Sequence, residues 1–146
     1  MAHFEIIVGS VLGATEYVAE ALQEELAKHN HQTTLHLQPD LTNINPNNIW
    51  LVCTSTHGAG DLPDNIQPFV KQIKTENLSN TSFFLVGLGD SSYDTFCFAA
   101  EKIQKALIES GAEQQQTSLC IDVLNHPIPE DIAVEWLSSW ISTVSE

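Results

Sequence analysis

Short apolar runs alternate along the chain with longer stretches of helical period. Residues 4–8, Phe-Glu-Ile-Ile-Val, predict a strand, and a loop over 9–14 follows. Val18, Leu22 and Leu26 then recur every four residues, the spacing of one helix face. Residues 32–37 predict a weaker strand that ends before Pro39. Residues 49–53 are almost wholly apolar, as a parallel strand buried on both faces should be. Residues 82–88 repeat that pattern, and residues 119–123 do so with one acid, Asp122. Helices are predicted over 65–74, 95–110 and 130–144, with Gly111 placed to end the second of these. The last carries an apolar stripe of Ile132, Trp136, Leu137, Trp140, Ile141 and Val144. Residues 42–48 are rich in Asn and Pro and are expected to cross as a loop or short turn. Five buried strands with helices between them predict an α/β fold, a doubly wound parallel sheet covered on both faces.

The chain has 146 residues, which suits one domain over 1–146, and no linker or internal repeat interrupts it. Charge narrows the function. Five lysines stand against 19 acids, there is no arginine, and the formal net charge is −14. Such a surface repels nucleic acid and anionic lipid, and it suits docking onto a basic protein. Cys53, Cys97 and Cys120 form no CxxC pair, so neither a disulfide framework nor a zinc site is suggested. The amino-terminal residues lack the pattern of a signal peptide, and no apolar run is long enough to span a membrane. A cytoplasmic protein is expected.

In a doubly wound sheet, ligands bind beyond the carboxyl ends of the strands. Three loops there carry candidate chemistry. The first, Gly9-Ser10-Val11-Leu12-Gly13-Ala14-Thr15-Glu16, is rich in small residues, carries two glycines and leads straight into a helix. It suits a phosphate held by amides, hydroxyls and a helix N-terminus, with no lysine or arginine. Equally, it could be a tight turn with Thr15 as N-cap. The second is Ser55-Thr56-His57-Gly58-Ala59-Gly60-Asp61-Leu62-Pro63-Asp64-Asn65, in which Asp61 or Asp64 could cap the next helix. The third, Gly87-Leu88-Gly89-Asp90-Ser91-Ser92-Tyr93-Asp94-Thr95-Phe96-Cys97, offers amides and an aromatic ring.

Together the three loops resemble the flavodoxin superfamily, including the FMN-binding domains of diflavin reductases and stand-alone bacterial members. The resemblance runs the length of the chain and implies sheet order 2-1-3-4-5 and an FMN cofactor. It implies that Ser10, Val11, Leu12, Gly13, Ala14 and Thr15 hold the phosphate. Ser55, Thr56, His57, Gly58, Ala59 and Gly60 would form the second flavin loop. Leu88, Gly89, Asp90, Ser91, Tyr93, Phe96 and Cys97 would form the third, with the ring between His57 and Tyr93. Leu12 and Ala14 stand where diflavin reductases carry threonine, and His57 replaces the usual Tyr or Trp. Asp122 aligns loosely with an acid in a fourth loop.

By the same resemblance the protein shuttles single electrons from a flavodoxin/ferredoxin-NADP reductase to an acceptor enzyme, with biotin synthase implied by a stand-alone bacterial member. The alternative is an FMN-dependent NAD(P)H:quinone reductase, which needs positive charge for the dinucleotide phosphates. The three loops contain no lysine, so the carrier is favoured over the enzyme. A two-component receiver has the same sheet order but needs acids where this chain has Gly9-Ser10 and Thr54-Ser55. No P-loop, nucleophile elbow or complete NAD fingerprint is present. His57 with Asp61 and Asp64 makes a poor metal set, and His29 and His31 are expected to be solvated.

Overall fold

A computed structural model describes residues 2–10, 13–56, 60–92 and 97–144. Its elements are β1 (His3–Gly9), α1 (Ala14–Lys28), β2 (Gln32–His36), β3 (Ile49–Ser55), α2 (Gln67–Ile73) and β4 (Ser82–Gly89). After these come α3 (Phe98–Glu109), β5 (Glu113–Gln114), β6 (Leu119–Asp122) and α4 (Pro129–Trp140). All strand pairs are parallel, in the order β2-β1-β3-β4-β5, with β6 also on β4. The expected order 2-1-3-4-5 is therefore present, but its fifth strand comes in two pieces. Glu113 and Gln114 pair with Ser82 and Phe83, whereas residues 119–122 pair with 86–89. The polar residues between them, Gln115 to Ser118, have no apolar side chain to lay on a core.

Two apolar layers cover the sheet, as the near-continuous apolar strands require. On one side α1 and α4 pack through Val18, Leu22, Leu26, Leu137 and Trp140, with Trp140 stacked 3.8 Å from Phe84. On the other, α2 and α3 bury Phe69, Ile73, Ile103 and Leu107 around Trp50 and Phe83. Glu5, inside β1, is buried yet satisfied: its carboxylate meets His36 Nε2 at 2.6 Å and accepts from Asn48 Nδ2 at 2.7 Å. No helix among the described residues is long and apolar enough to cross a membrane.

The ends of α3 show how sequence sets element length. Gly111 takes φ +98°, and its N–H bonds the carbonyl of Ile108 while that of Ala112 bonds Leu107. That double bond is a Schellman stop, which needs a left-handed residue. At the other end Cys97 is itself left-handed, φ 59°, so the helix begins at Phe98 rather than near residue 95. The segment before β3 is a loop holding one short 3-10 turn, Leu41–Asn43, capped by the Asp40 carboxylate. His31 departs from the expectation of a solvated group. It is half-buried, its Nδ1 accepts from the Ala2 N–H at 3.0 Å, and its ring meets Phe4 edge-on.

Candidate functional site

The parallel register brings the loop-bearing ends of four strands level. Gly9 pairs with Thr54, Ser55 with Leu88, and Gly89 with Asp122. Ser55, Leu88 and Gly89 are thus the last residues of their strands, and Ser10, Gly13, Ala14, Thr15, Thr56, Gly60, Asp90, Ser91 and Cys97 sit on the loops at that end of the sheet or on the helices that follow them. Val11, Leu12, His57, Gly58, Ala59, Tyr93 and Phe96 lie outside the described residues.

At the first loop the chain turns sharply. A Cβ on Gly9 would lie 2.7 Å from Thr54 Oγ1 and 2.9 Å from Ile66 Cγ2, so only glycine fits there. The Ser10 N–H donates to Asn65 Oδ1, and the Gly13 N–H donates back to Ser10 Oγ, both at 3.0 Å. Gly13 then adopts φ +87° in open space, and α1 begins without any side-chain cap. Thr15 is therefore not the N-cap that the sequence allowed. It lies inside α1, 1% exposed, and its hydroxyl has no hydrogen-bond partner. Ser55 Oγ, at the end of β3, is buried and unpartnered too. A buried hydroxyl left unpaired costs about 1–3 kcal/mol. The only other such atom among the described residues is Trp140 Nε1, on the α1/α4 side of the core. An uncapped helix N-terminus with two orphaned hydroxyls on adjoining elements matches what a phosphate supplies: negative charge and several acceptor oxygens. The residues present fit an FMN phosphate.

Neither Asp61 nor Asp64 caps α2, which starts at Gln67 without a side-chain cap. Asn65 instead ties the first two loops together, because its Oδ1 accepts from Ser10, and its Nδ2 also donates to the carbonyls of Val8 in β1 at 2.7 Å and Leu37 after β2 at 3.0 Å. In the second loop Thr56 bonds both neighbours. Its N–H donates to Leu88 O, and its Oγ1 accepts from the Ala99 N–H, both at 3.2 Å. Lys102 reaches across from α3 to donate to Gly60 O at 2.7 Å. In the third loop Asp90 accepts from the Ser92 N–H and hydroxyl.

Asp122 proves to be the organiser of the fourth loop. Its Oδ1 accepts from the N–H groups of Ser91 at 3.2 Å and Leu124 at 3.0 Å, and its Oδ2 from Asn125 Nδ2 at 2.6 Å. A hydrogen bond with the Ser91 side chain foremost, and these bonds after it, hold its carboxyl below the usual range. Asn65, Lys102 and Asp122 were not singled out from sequence as loop-tying residues. Asn65 is the first residue of a predicted helix and Asp122 lies one residue before the end of a predicted strand, which is the available signal.

The flavodoxin family model matches residues 6–136. The chain belongs to the flavodoxin family. Flavodoxins of this kind hold FMN and transfer electrons, and this protein is a flavodoxin-like FMN-binding electron carrier. It is 47% identical over 145 residues to Protein MioC of Escherichia coli, covering 97% of this chain and 98% of that one. It is 35% identical over 150 residues to Flavodoxin YqcA of Escherichia coli, covering 99% of this chain and all of the other. Among solved structures, a cysteine variant of a flavodoxin from Pseudomonas aeruginosa superposes with a TM-score of 0.88 at 31% identity. That match covers 96% of this chain and 97% of that structure.

Proposed function

We propose that this flavodoxin binds FMN with its phosphate at the start of α1, within residues 10–15, held by backbone amides there and by the hydroxyls of Ser10, Thr15 and Ser55. The observation that carries this reading is the pair of buried, unpartnered hydroxyls, Thr15 Oγ1 and Ser55 Oγ. Bound FMN supplies the capacity to take up and release electrons one at a time. The protein's residues position it. Asn65 fixes the first loop against the second, and Asp122 fixes the third loop against the fourth. His57 and Tyr93 are assigned to the two faces of the ring, Gly58, Ala59 and Gly60 to its edge, and Leu88, Gly89, Asp90, Ser91, Phe96 and Cys97 to its pyrimidine side.

Electrons enter from a flavodoxin/ferredoxin-NADP reductase and leave to an acceptor enzyme, for which biotin synthase is the candidate that the resemblance offers. The charge of −14 supports a basic docking partner and opposes direct capture of a dinucleotide's phosphates. Lys102, the one lysine that reaches these loops among the described residues, is already bonded to Gly60 O. We further propose that residues 1–146 act as one FMN-binding unit in the cytoplasm. Titration with FMN and with riboflavin, followed by absorbance and fluorescence, tests the phosphate assignment. FMN is expected to bind stoichiometrically and at least ten-fold tighter, whereas equal affinities would remove it.

A further inference from the structure

Cys97 and Cys120 lie far apart in sequence, yet both reach the same spot on the sheet. Cys97 ends the loop after β4, left-handed and buried, immediately before α3. Cys120 lies in β6, register partner of Gly87 in β4, and is exposed. A Cβ on Gly87 would stand 3.2 Å from Cys97 Sγ and 3.8 Å from Cys120 Sγ. The missing side chain at 87 therefore leaves both sulfurs over one point, one from the helix side and one from the neighbouring strand. The Cys97 thiol hydrogen-bonds the Cys120 sulfur, which pushes Cys97 up and brings Cys120 down. The remaining cysteine, Cys53, is wholly buried in β3, and burial pushes its thiol up to about 12.

We propose that Cys97 and Cys120 are a redox-reactive pair that closes to a reversible disulfide when the protein meets a hydroperoxide. The exposed Cys120 thiolate attacks one oxygen of the peroxide, the O–O bond breaks, and Cys120 becomes a sulfenic acid. Cys97 then attacks the Cys120 sulfur, its own proton leaves with the hydroxyl as water, and the S–S bond forms. Overall two thiols and one hydrogen peroxide give one disulfide and two waters. A thiol reductant reverses the step by exchange. The closed bond pins the N-terminus of α3, and the loop before it, to the edge piece β6. Nothing in this chemistry depends on the FMN assignment.

The test is hydrogen peroxide treatment of the FMN-saturated protein, followed by alkylation, intact mass and peptide mapping without reductant. The expected product has lost two hydrogens, carries one Cys97–Cys120 crosslinked peptide, leaves Cys53 free, and returns to the dithiol with dithiothreitol. In Cys97→Ser, with no partner to resolve it, Cys120 sulfenic acid is expected to accumulate and be trapped by dimedone, which labels the unmodified protein little. Recovery of Cys120 as a sulfinic acid or a disulfide-linked dimer with Cys97 free would overturn the pairing. So would failure of either thiol to react while free glutathione in the same tube is consumed.

Discussion

Replacing Thr15 with valine keeps the shape of the side chain and removes only its hydroxyl. Thr15 is 1% exposed and its hydroxyl has no partner within the protein, so in flavin-free protein its removal should relieve a desolvated polar group. Stability should rise by about 1 kcal/mol, at the low end of the cost of such a group. For a chain of this size that corresponds to a melting point about 3–5 °C higher. With FMN bound, the same hydroxyl faces a phosphate, and a hydrogen bond to a charged group contributes about 1.5–3 kcal/mol. At 1.4 kcal/mol per decade, FMN should bind about ten- to a hundred-fold more weakly. Riboflavin, which has no phosphate, should bind with unchanged affinity. Thr15→Ser, which restores the hydroxyl, should recover most of the FMN affinity. The assays are thermal melts of the flavin-free proteins and fluorescence titrations with both ligands. Equal weakening of FMN and riboflavin, or unchanged FMN binding, would refute the assignment of Thr15 to the phosphate.

Tyr93→Ala should do the reverse. It removes ring stacking and should weaken FMN and riboflavin alike by about ten-fold, since one stacked ring contributes about 1–3 kcal/mol; loss of FMN affinity alone in the same titrations would count against ring contact. Gly87→Ala places a Cβ 2.7 Å from that of Ala100 and should destabilise the fold by about 1–3 kcal/mol through overpacking, read from urea unfolding. Asp122 has its folded pKa held below its unfolded value of about 3.9, so its contribution is present above that pH and is lost as pH falls through the lower, folded value. Asp122→Asn should therefore melt lower than the native protein near neutral pH, and the gap should close on acidification below about pH 3.9; a gap independent of pH would show that the charge is not what matters.

Much of the frame was legible because strands buried on both faces leave a plain apolar signature. Residues 49–53 and 82–88 fall inside β3 and β4 as expected. Boundaries were less visible where a backbone conformation or a long-range bond decided them. The sequence pattern starts a helix at Asn65, but its side chain serves Ser10, Val8 and Leu37, and α2 begins at Gln67. Cys97 could not be seen to be left-handed, which moved the start of α3 to Phe98. The first piece of the fifth strand, Glu113–Gln114, carries no apolar residue and so leaves no strand signature ahead of the predicted 119–123. At the site, spacing marked Thr15 as either a cap or a phosphate ligand. Only the packed structure shows that its hydroxyl caps nothing. The meeting of Cys97 with Cys120 was invisible for the same reason, since it depends on the register of Cys120 with Gly87.

The carrier reading meets its most direct test in anaerobic mixing of the FMN-loaded protein with NADPH, followed by flavin absorbance. NADPH alone should leave the flavin oxidised over seconds, because the chain has no arginine and five lysines against 19 acids with which to hold the dinucleotide. A catalytic amount of a flavodoxin reductase should bleach it rapidly, and added salt should slow that step by screening the encounter. Rapid bleaching by NADPH with no reductase present would contradict the account and make the protein an NADPH-oxidising enzyme.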